Sequence, residues 1–395
     1  MTASAPVLTG AWNYPTRVLS GPGRIAELAD ACRTAGITKP LIVTDGGLVG
    51  TPILASAEDS LKKAGLAYGI FSDVKGNPTE SNVTAGLAVF TAGGHDGVIA
   101  FGGGSALDVG KSVAFMNGQT RPIFDYEDVG DWWTRANAAT IAPIVAVPTT
   151  AGTGSEVGRA AVVTNEATHE KKIIFHPLML PKVVIADPEL TVGLPPKLTA
   201  GTGFDALTHC FEAYCAPGFH PMADGIALEG LRLVSIYLPR AVANGRDIEA
   251  RSRMLAAASM GAAAFQKGLG AVHSISHPVG AFYDTHHGLT NGVVLPYVML
   301  WNRPAIEDRM DAIARLLDLP GRGFDGVLAW ILQLRQDLGI ANSLADLGVD
   351  ESRIAELAVQ AERDPSTGGN PRPMVAKDFE PVILAAIRGD LTLKG

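Results

Sequence analysis

The sequence predicts an α/β domain built on a parallel sheet, followed by an all-helical domain. In the first half of the chain, short apolar runs alternate with longer segments of helical character, whereas strand-like runs nearly vanish beyond Pro188. The 395 residues are about twice the size of an ordinary domain, which favours two domains. We place them at residues 1–188 and 189–395, because Asp187-Pro188 and Pro195-Pro196 supply breakers between them.

Five apolar runs in the first half predict the strands of the sheet. They are Pro40 to Thr44, Ala67 to Phe71, Gly97 to Phe101, Pro143 to Val147 and Val183 to Ala186. Each run is apolar on both faces, which is typical of strands that helices cover on both sides. The segments between the runs are long enough for crossover helices, so we expect a doubly wound, Rossmann-like architecture.

The second half has helical periodicity. Ile306, Met310, Ile313 and Leu317 fall at i, i+4, i+7 and i+11, which is one face of an amphipathic helix. The most apolar stretch, Met254 to Phe265, is too short to cross the roughly 30 Å of a bilayer core. We therefore expect it to form a buried helix, and we expect no membrane partner.

Composition and charge narrow the class of protein further. The chain is 47% hydrophobic and 18% charged, which is typical of a globular protein. Its net charge of -8 has the wrong sign for a protein that neutralises phosphates, so we expect no nucleic-acid partner. No secretory signal is visible, and three sparse cysteines, Cys32, Cys210 and Cys215, favour a reducing compartment. We expect a cytoplasmic protein.

A glycine-rich loop follows the third apolar run. It consists of Gly102, Gly103, Gly104 and Ser105 and leads into a segment that can continue as a helix. Glycines let the backbone approach a ligand closely, and the N–H groups at a helix start attract an anion such as a pyrophosphate. The spacing is not GxGxxG, and a turn that is rich in glycine only for packing is an equal alternative from this loop alone.

Two further segments could complete a nucleotide site. The loop from Pro148 to Glu156 follows the fourth run and offers the hydroxyls of Thr149 and Thr150. Asp45 directly follows the first run, at the end of a strand where a carboxylate can accept hydrogen bonds from ribose hydroxyls and repel a 2'-phosphate. It would favour NAD over NADP, although a helix cap is the commoner function of such a residue.

Histidines cluster in the predicted helical domain at spacings that suit a metal ion. Asp205 and His209 are four residues apart, as are His273 and His277, and the pair His286-His287 follows in what we expect to be a loop. On a helix, residues four apart lie on one face and can hold one ion. A single histidine of this kind is usually a hydrogen-bonded core residue, but two such pairs and a third cluster favour metal.

Three imidazoles and one carboxylate would leave a divalent cation with net positive charge and an open position. Such a site is a Lewis acid, since closed structural sites are usually rich in thiolates. The donor types allow Fe²⁺ or Zn²⁺.

With both sites in view, the chain resembles the iron-containing (group III) alcohol dehydrogenase family over nearly its full length. The motifs that carry the resemblance are Val43 to Asp45, Asn77-Pro78, Gly102 to Ser105 with Asp108 and Lys111, Pro148 to Glu156, Gly203 to His209, Gly268 to His273, His277-Pro278, His287-Gly288 and Thr367 to Arg372. Members pair a nucleotide-binding α/β domain with a helical metal domain, and the active site lies in the cleft between them.

The resemblance also implies functions for individual residues. The metal ligands would be Asp205, His209, His273 and His287. The residues that would bind NAD are Asp45, Gly102, Gly103, Gly104, Ser105, Asp108, Thr149 and Thr150. His277 would be the first candidate for proton relay, and a homodimer or a larger homo-oligomer is expected.

This chain departs from the family pattern at His286, where many members have proline. We favour His287 as the ligand because it keeps the family distance of 14 residues from His273, and His286 becomes the second proton-relay candidate. Lys172 and Lys267 could select an acidic substrate, but the surface is the default position for a lysine.

The resulting hypothesis is an NAD(H)-linked, metal-dependent oxidoreductase that interconverts a small primary alcohol and its aldehyde by hydride transfer. Two alternatives remain. One is a lyase that resembles dehydroquinate synthase and does not turn over its NAD, and the other is a sensor that binds nucleotide and metal without catalysis.

Overall fold

The computed structural model describes residues 10–12 and 16–393, and these fall into two compact units. The first unit contains the described residues up to Thr150 together with Gly154–Gly193 and Arg246–Leu255. The second unit contains Ala151–Thr153, Leu194–Gly245 and the described residues from Ala256 onward. The single division after residue 188 stays a prediction.

A seven-stranded sheet organises the first unit. Its strands lie in the order β1-β2-β9-β6-β5-β3-β4, and all neighbours pair in parallel except β1, which is antiparallel to β2 at one edge. The nine strands of the described chain are β1 (Gly10–Trp12), β2 (Arg17–Ser20), β3 (Pro40–Val43), β4 (Gly69–Phe71), β5 (Gly97–Gly102), β6 (Ile144–Pro148), β7 (Ala160–Asn165), β8 (Glu170–Phe175) and β9 (Val183–Ala186). The predicted parallel-sheet architecture is confirmed.

Helices cover the central strands. Every residue of β3, β5, β6 and β9 is buried, as runs that are apolar on both faces require. The helices of this part of the chain are α1 (Leu28–Ala35), α2 (Pro52–Lys63), α3 (Glu80–Ala92) and α4 (Gly104–Met116). Because the carboxyl ends of β3, β5 and β6 meet at one edge of the sheet, the loops that follow them gather there.

The strands that the sequence analysis missed are short or polar. Strand β2 reads Arg-Val-Leu-Ser, so only its two central residues are apolar. Strands β7 and β8 form a separate antiparallel hairpin. The hairpin is mostly half-buried, and β8 begins Glu170-Lys-Lys, so it lacks the continuous apolar run that marked the sheet strands.

Helices make up the second half of the chain, and no described residue after Ala186 belongs to a strand. They are α5 (Pro196–Cys215), α6 (Pro221–Ala243), α7 (Ile248–Ala264), α8 (Ala271–Tyr283), α9 (His287–Leu316), α10 (Gly323–Asp337), α11 (Ile354–Arg363) and α12 (Ala376–Arg388). Helix α5 packs against α6 and α9 and is buried over most of its length. The predicted helical domain is confirmed, and none of the described helices could span a bilayer.

One local prediction in this half is wrong. His286-His287-Gly288 was expected in a loop, but α9 begins at His287 and His286 is its N-cap. The Nδ1 atom of His286 accepts a hydrogen bond from the backbone N–H of Leu289 at 3.3 Å. The imidazole thus replaces the usual Ser, Thr, Asp or Asn, whose absence hid the helix start.

Candidate functional site

Helix α5 supplies the first two candidate metal ligands. Asp205 and His209 lie one helical turn apart and are both buried. The Nε2 atom of His209 lies 3.7 Å from Asp205 Oδ1, which is too long for a hydrogen bond. The i, i+4 spacing in the sequence therefore does place both side chains on one buried helix face.

Helices α8 and α9 bring two more imidazoles to the same carboxylate oxygen. The Nε2 atoms of His273 and His287 lie 3.7 and 3.5 Å from Asp205 Oδ1. The ligand atoms of these three residues all lie within 4.8 Å of one another. His209 is outside that group, but its ring stacks on the ring of His273 with a centroid separation of 4.7 Å. The function of Asp205 and these three histidines as metal ligands stays a prediction.

These separations suit a shared cation better than direct hydrogen bonding. Four ligands held tetrahedrally at about 2.1 Å from an ion lie about 3.4 Å from one another. Three imidazole nitrogens at 3.5 to 3.7 Å from one carboxylate oxygen match that spacing. The donor set, three imidazoles and a carboxylate, is one that Fe²⁺ and Zn²⁺ accept.

Asn291, which the sequence analysis missed, lies among the ligand atoms. Its Nδ2 donates to Asp205 Oδ1 at 2.8 Å and lies 3.3 and 3.4 Å from the Nε2 atoms of His287 and His273. Asn291 is buried on α9, four residues after His287. The i, i+4 spacing from a candidate ligand was the signal that could have found it.

Burial and neighbouring charges set the protonation of the centre. Burial would raise the pKa of Asp205, but the imidazoles of His209, His287 and His273 outweigh it and hold that pKa below its ordinary value. Burial lowers the pKa of His209 to about 4. An ionised carboxylate and a neutral imidazole are the forms that bind a cation.

His273 differs because of a second carboxylate. Burial acts to lower its pKa, but Glu212 and Asp205 together raise the pKa to about 9. The Nδ1–H of His273 donates to Glu212 Oε2 at 2.5 Å. Glu212 was also missed, although it lies seven residues after Asp205 on the same face of α5 and could have been found from that spacing.

His277 lies beside the candidate ligands without joining them. Its ring stacks on His287 with a centroid separation of 5.4 Å and meets His273 edge to face at 5.8 Å. Its Nδ1–H donates to Asp364 Oδ2 at 2.7 Å. Burial would raise the pKa of Asp364, but His277 lowers it below its ordinary value. Asp364 is 87 residues further along the chain, so no local spacing indicated it.

His286 is used differently from its neighbour. Its Nδ1 caps α9, and a Cβ placed on Gly201 would lie 3.0 Å from its ring, so the imidazole packs closely against α5. Burial lowers the pKa of His286. These contacts give it a structural function at the helix start, and its function in proton relay stays a prediction.

At the carboxyl end of the sheet, the glycine loop has a backbone that requires glycine. Gly102 has φ of 143°, and a Cβ there would lie 2.7 Å from the Cβ of Ala106. Gly103 is the N-cap of α4, and no side chain caps that helix start. The loop lies against the next one, since a Cβ on Gly103 would be 3.4 Å from the Thr150 side chain.

Other contacts fix this loop in place. The backbone N–H of Thr149 donates to the carbonyl of Gly102 at 2.9 Å, and Ser105 Oγ donates to the carbonyl of Gly76 at 2.6 Å. We call Gly102 to Ser105 together with Thr149 and Thr150 the nucleotide loop. It presents backbone N–H groups of a helix start at the sheet edge where parallel-sheet proteins bind ligands.

Asp45 lies next to the nucleotide loop. Its Oδ1 accepts from the backbone N–H of Gly47 at 3.0 Å, so the carboxylate caps the 3-10 helix that follows β3. A Cβ on Gly102 would lie 3.4 Å from its other oxygen, Oδ2. Both interpretations of Asp45, cap and ribose partner, are compatible with this position.

Asp108 is occupied by the protein itself. Its Oδ1 accepts from Ser155 Oγ at 2.5 Å, and its Oδ2 accepts from the backbone N–H of Val162 at 3.0 Å. The fully buried ammonium of Lys111 lies 3.3 Å from the same carboxylate and donates to the carbonyl of Ser155 at 3.0 Å. Asp108 therefore holds the hairpin and the second loop, and its direct contact with a cofactor stays a prediction.

Comparison with known proteins covers both halves of the chain. The family described as iron-containing alcohol dehydrogenase matches residues 15–188. The C-terminal domain described for the same family of Fe-containing alcohol dehydrogenases matches residues 199–387. The chain is 38% identical over 376 residues to 4-hydroxybutyrate dehydrogenase of Cupriavidus necator, covering 93% of this chain and 97% of that protein. It is 36% identical over 380 residues to NAD-dependent methanol dehydrogenase of Bacillus methanolicus, covering 94% and 98%.

A solved structure agrees with these matches. The crystal structure of a 1,3-propanediol oxidoreductase superposes with a TM-score of 0.88 at 36% identity and covers 94% of this chain and 97% of its own. The resemblance inferred from the motifs is confirmed. The chain belongs to the iron-containing alcohol dehydrogenase family and is an oxidoreductase that interconverts an alcohol and its aldehyde.

Proposed function

We propose that this protein is an NAD(H)-linked, metal-dependent enzyme that acts on a small primary alcohol or its aldehyde. The observation that carries the proposal is the placement of three imidazole Nε2 atoms 3.5 to 3.7 Å from one oxygen of Asp205. Asp205, His209, His273 and His287 would hold Fe²⁺, with Zn²⁺ as the second choice. Such an ion supplies Lewis acidity that lowers the pKa of a substrate hydroxyl.

The nucleotide loop would hold the dinucleotide. The uncapped N-terminus of α4 offers N–H groups and the positive end of a helix dipole to the pyrophosphate. NAD supplies the hydride acceptor. Asp45, whose Oδ2 borders Gly102, would bind the adenosine ribose and repel a 2'-phosphate, which makes NADP the less favoured cofactor.

His277 is the first candidate for moving the hydroxyl proton to solvent. Its Nδ1–H is held by Asp364, so Nε2 is the nitrogen left to accept a proton. His286 is the second candidate and is less suited, because its Nδ1 already serves as the cap of α9.

The substrate proposed is small and uncharged. The two lysines that could have selected an acidic substrate are both paired with carboxylates: Lys267 donates to Asp224 at 2.5 Å, and Lys172 lies 3.0 Å from Glu170. The side chain of Lys267 is only 2% exposed, so the default expectation of a surface lysine is wrong for it. A relative at 38% identity is named for 4-hydroxybutyrate, which makes that acid the most useful charged compound to test.

We also propose a cytoplasmic location and a homo-oligomeric state. The three cysteines are free and buried, which fits a reducing cytoplasm. The family resemblance supports a homodimer or a larger homo-oligomer.

Metal analysis and a substrate panel test the proposal. Protein purified anaerobically should contain about one equivalent of iron, or of zinc, per chain. NADH absorbance should then report turnover with short primary alcohols or aldehydes. Turnover with 4-hydroxybutyrate should be slower than with these uncharged compounds. A lyase like dehydroquinate synthase would release no stoichiometric NADH from an alcohol. A sensor would bind NAD and metal but turn over no compound in the panel, and either result would overturn the proposal.

A further inference from the structure

The first turn of α8, which carries His273, is capped by side chains from distant parts of the chain. Its own N-cap, Gly270, has no side chain to offer. The backbone N–H of Val272 donates to Glu212 Oε1 at 2.8 Å, and that of Ala271 donates to Asn370 Oδ1 at 3.1 Å. A Cβ on Gly270 would lie 2.9 to 3.0 Å from these two oxygens, so glycine makes room for both caps.

Glu212 connects this cap to the imidazole. While Oε1 holds the backbone of Val272, Oε2 accepts the Nδ1–H of His273 at 2.5 Å. A ring that donates from Nδ1 carries its lone pair on Nε2, and that atom lies 3.7 Å from Asp205 Oδ1. One buried carboxylate thus fixes the helix start, the ring orientation and the tautomer together.

Asn370 belongs to the motif from Thr367 to Arg372, to which the proposed function gives no task. Its amide pairs with the amide of Asn302: Asn302 Nδ2 donates to Asn370 Oδ1 at 2.8 Å, and Asn370 Nδ2 donates to Asn302 Oδ1 at 2.9 Å. Asn370 Nδ2 also donates to the carbonyl of Arg372 at 2.6 Å. Both ends of the amide are satisfied, so its position against α8 is rigid.

The rest of the motif brings this amide to α8. A Cβ on Gly369 would lie 2.2 Å from the carbonyl oxygen of Leu269, so only glycine permits the close approach of the two backbones. Thr367 Oγ1 donates to Ser274 Oγ at 2.7 Å, one residue after His273. The motif therefore contacts α8 on both sides of the candidate ligand.

We propose that Glu212 and Asn370 are positioning residues of the metal centre. Glu212 selects the His273 tautomer that presents Nε2 to the cation, and Asn370 fixes the position of the first turn of α8. This inference rests on the proposed function, because it takes His273 to be a metal ligand.

The test compares metal affinity in Glu212→Gln and in a matched control. A glutamine has one acceptor oxygen in place of two, so it cannot serve Val272 N–H and His273 Nδ1–H at once. We expect the affinity of the metal-free protein for Co²⁺ or Zn²⁺, measured by competition with a chelator, to fall about 10- to 100-fold. Glu229→Gln makes the same change at a Glu on α6 that pairs with Arg232, and it should leave the affinity unchanged.

Spectroscopy separates positioning from a general loss of structure. The visible absorption of the Co²⁺-loaded protein should lose its tetrahedral intensity in Glu212→Gln at a temperature where circular dichroism shows that the metal-free variant is still folded, although the lost buried hydrogen bond lowers its unfolding temperature. Asn370→Ala should weaken Co²⁺ binding less, about severalfold, because that side chain touches the helix and not the ligand. If Glu212→Gln binds Co²⁺ within twofold of wild type with an unchanged spectrum, the inference is wrong.

A measurement on the wild-type protein keeps the test independent of how the variants fold. In Zn²⁺-loaded protein with ¹⁵N-labelled histidine, the ring of His273 should show a hydrogen-bonded Nδ1–H and a metal-bound Nε2. A metal-bound Nδ1 would overturn this inference but not the proposed function. If wild-type protein binds no stoichiometric metal at all, the proposed function fails instead.

Discussion

The nucleotide loop and the metal centre are built in opposite ways. The loop relies on backbone: Gly102 has a φ that glycine favours, and the N-terminus of α4 is left without a side-chain cap. The metal centre relies on side chains from α5, α8 and α9, and a second set of polar groups orients those side chains. A site made of backbone groups can be formed by one short segment. A site made of side chains needs residues that are distant in sequence to orient those side chains.

This contrast predicts different responses to substitution. A change in the loop should alter the local conformation and cofactor binding while leaving the metal content intact. A change at the centre should remove the metal and with it the activity.

His287→Ala should cause the largest loss. Removing one of the imidazoles that surround Asp205 Oδ1 should release the metal, and activity should fall about a thousandfold because Lewis acidity is worth several kcal/mol. Metal content and kcat/KM with NADH measure both effects. His286→Ala is the matched neighbour and should keep the metal while it destabilises the start of α9 by about 1 kcal/mol. The reverse pattern would assign the ligand to His286.

Gly102→Ala should affect the other region. Alanine at φ of 143° is strained, and its Cβ would meet that of Ala106 at 2.7 Å, so we expect a loss of about 1 to 3 kcal/mol in unfolding free energy and weaker NAD binding. Metal content should be unchanged. Gly193→Ala, where a Cβ meets nothing within 4 Å, is the control. A loss of metal in Gly102→Ala would show that the two regions are not separable.

Asp45→Gly should change cofactor choice more than stability. Without the carboxylate beside Gly102, a 2'-phosphate is no longer repelled, and the ratio of NADP to NAD in kcat/KM should rise about tenfold or more. Steady-state kinetics with both cofactors measure the ratio. An unchanged ratio would leave Asp45 with only its function as the cap that accepts from Gly47.

The same contrast explains what could be predicted from the sequence. The buried strands were found because runs that are apolar on both faces are unambiguous, and the loop was found because its glycines are contiguous. Asp205 with His209 was found because i, i+4 spacing is visible without a structure.

The supporting residues could not be found in that way. Glu212 reaches His273 across 61 positions, Asp364 reaches His277 across 87, and Asn370 reaches Ala271 across 99. Only tertiary packing brings these pairs together, so no short spacing in the sequence indicates them. His287 and Gly288 were misplaced in a loop because the residue that caps their helix, His286, is not one of the types that usually mark a helix start.

The alkylation rates of the three cysteines compare the two regions within one sample. Burial raises the pKa of Cys32, Cys210 and Cys215 to about 12, so at pH 8 only about one thiol in ten thousand is the reactive thiolate. We expect almost no reaction with iodoacetamide at pH 8 in the metal-loaded protein. The same shift makes the folded state less stable as pH rises above the ordinary thiol pKa of 9.0 toward 12, and pH 8 lies below that window.

Chelation should then separate the three cysteines. Cys210 and Cys215 lie on α5, which carries Asp205 and His209, whereas Cys32 lies on α1. Because a bound metal stabilises the residues that hold it, its removal should speed labelling of the α5 cysteines about tenfold and leave Cys32 unchanged. Mass spectrometry of the labelled peptides measures the three rates separately. Equal acceleration at all three sites would mean that the metal stabilises the whole molecule, and no acceleration would mean that α5 does not depend on it.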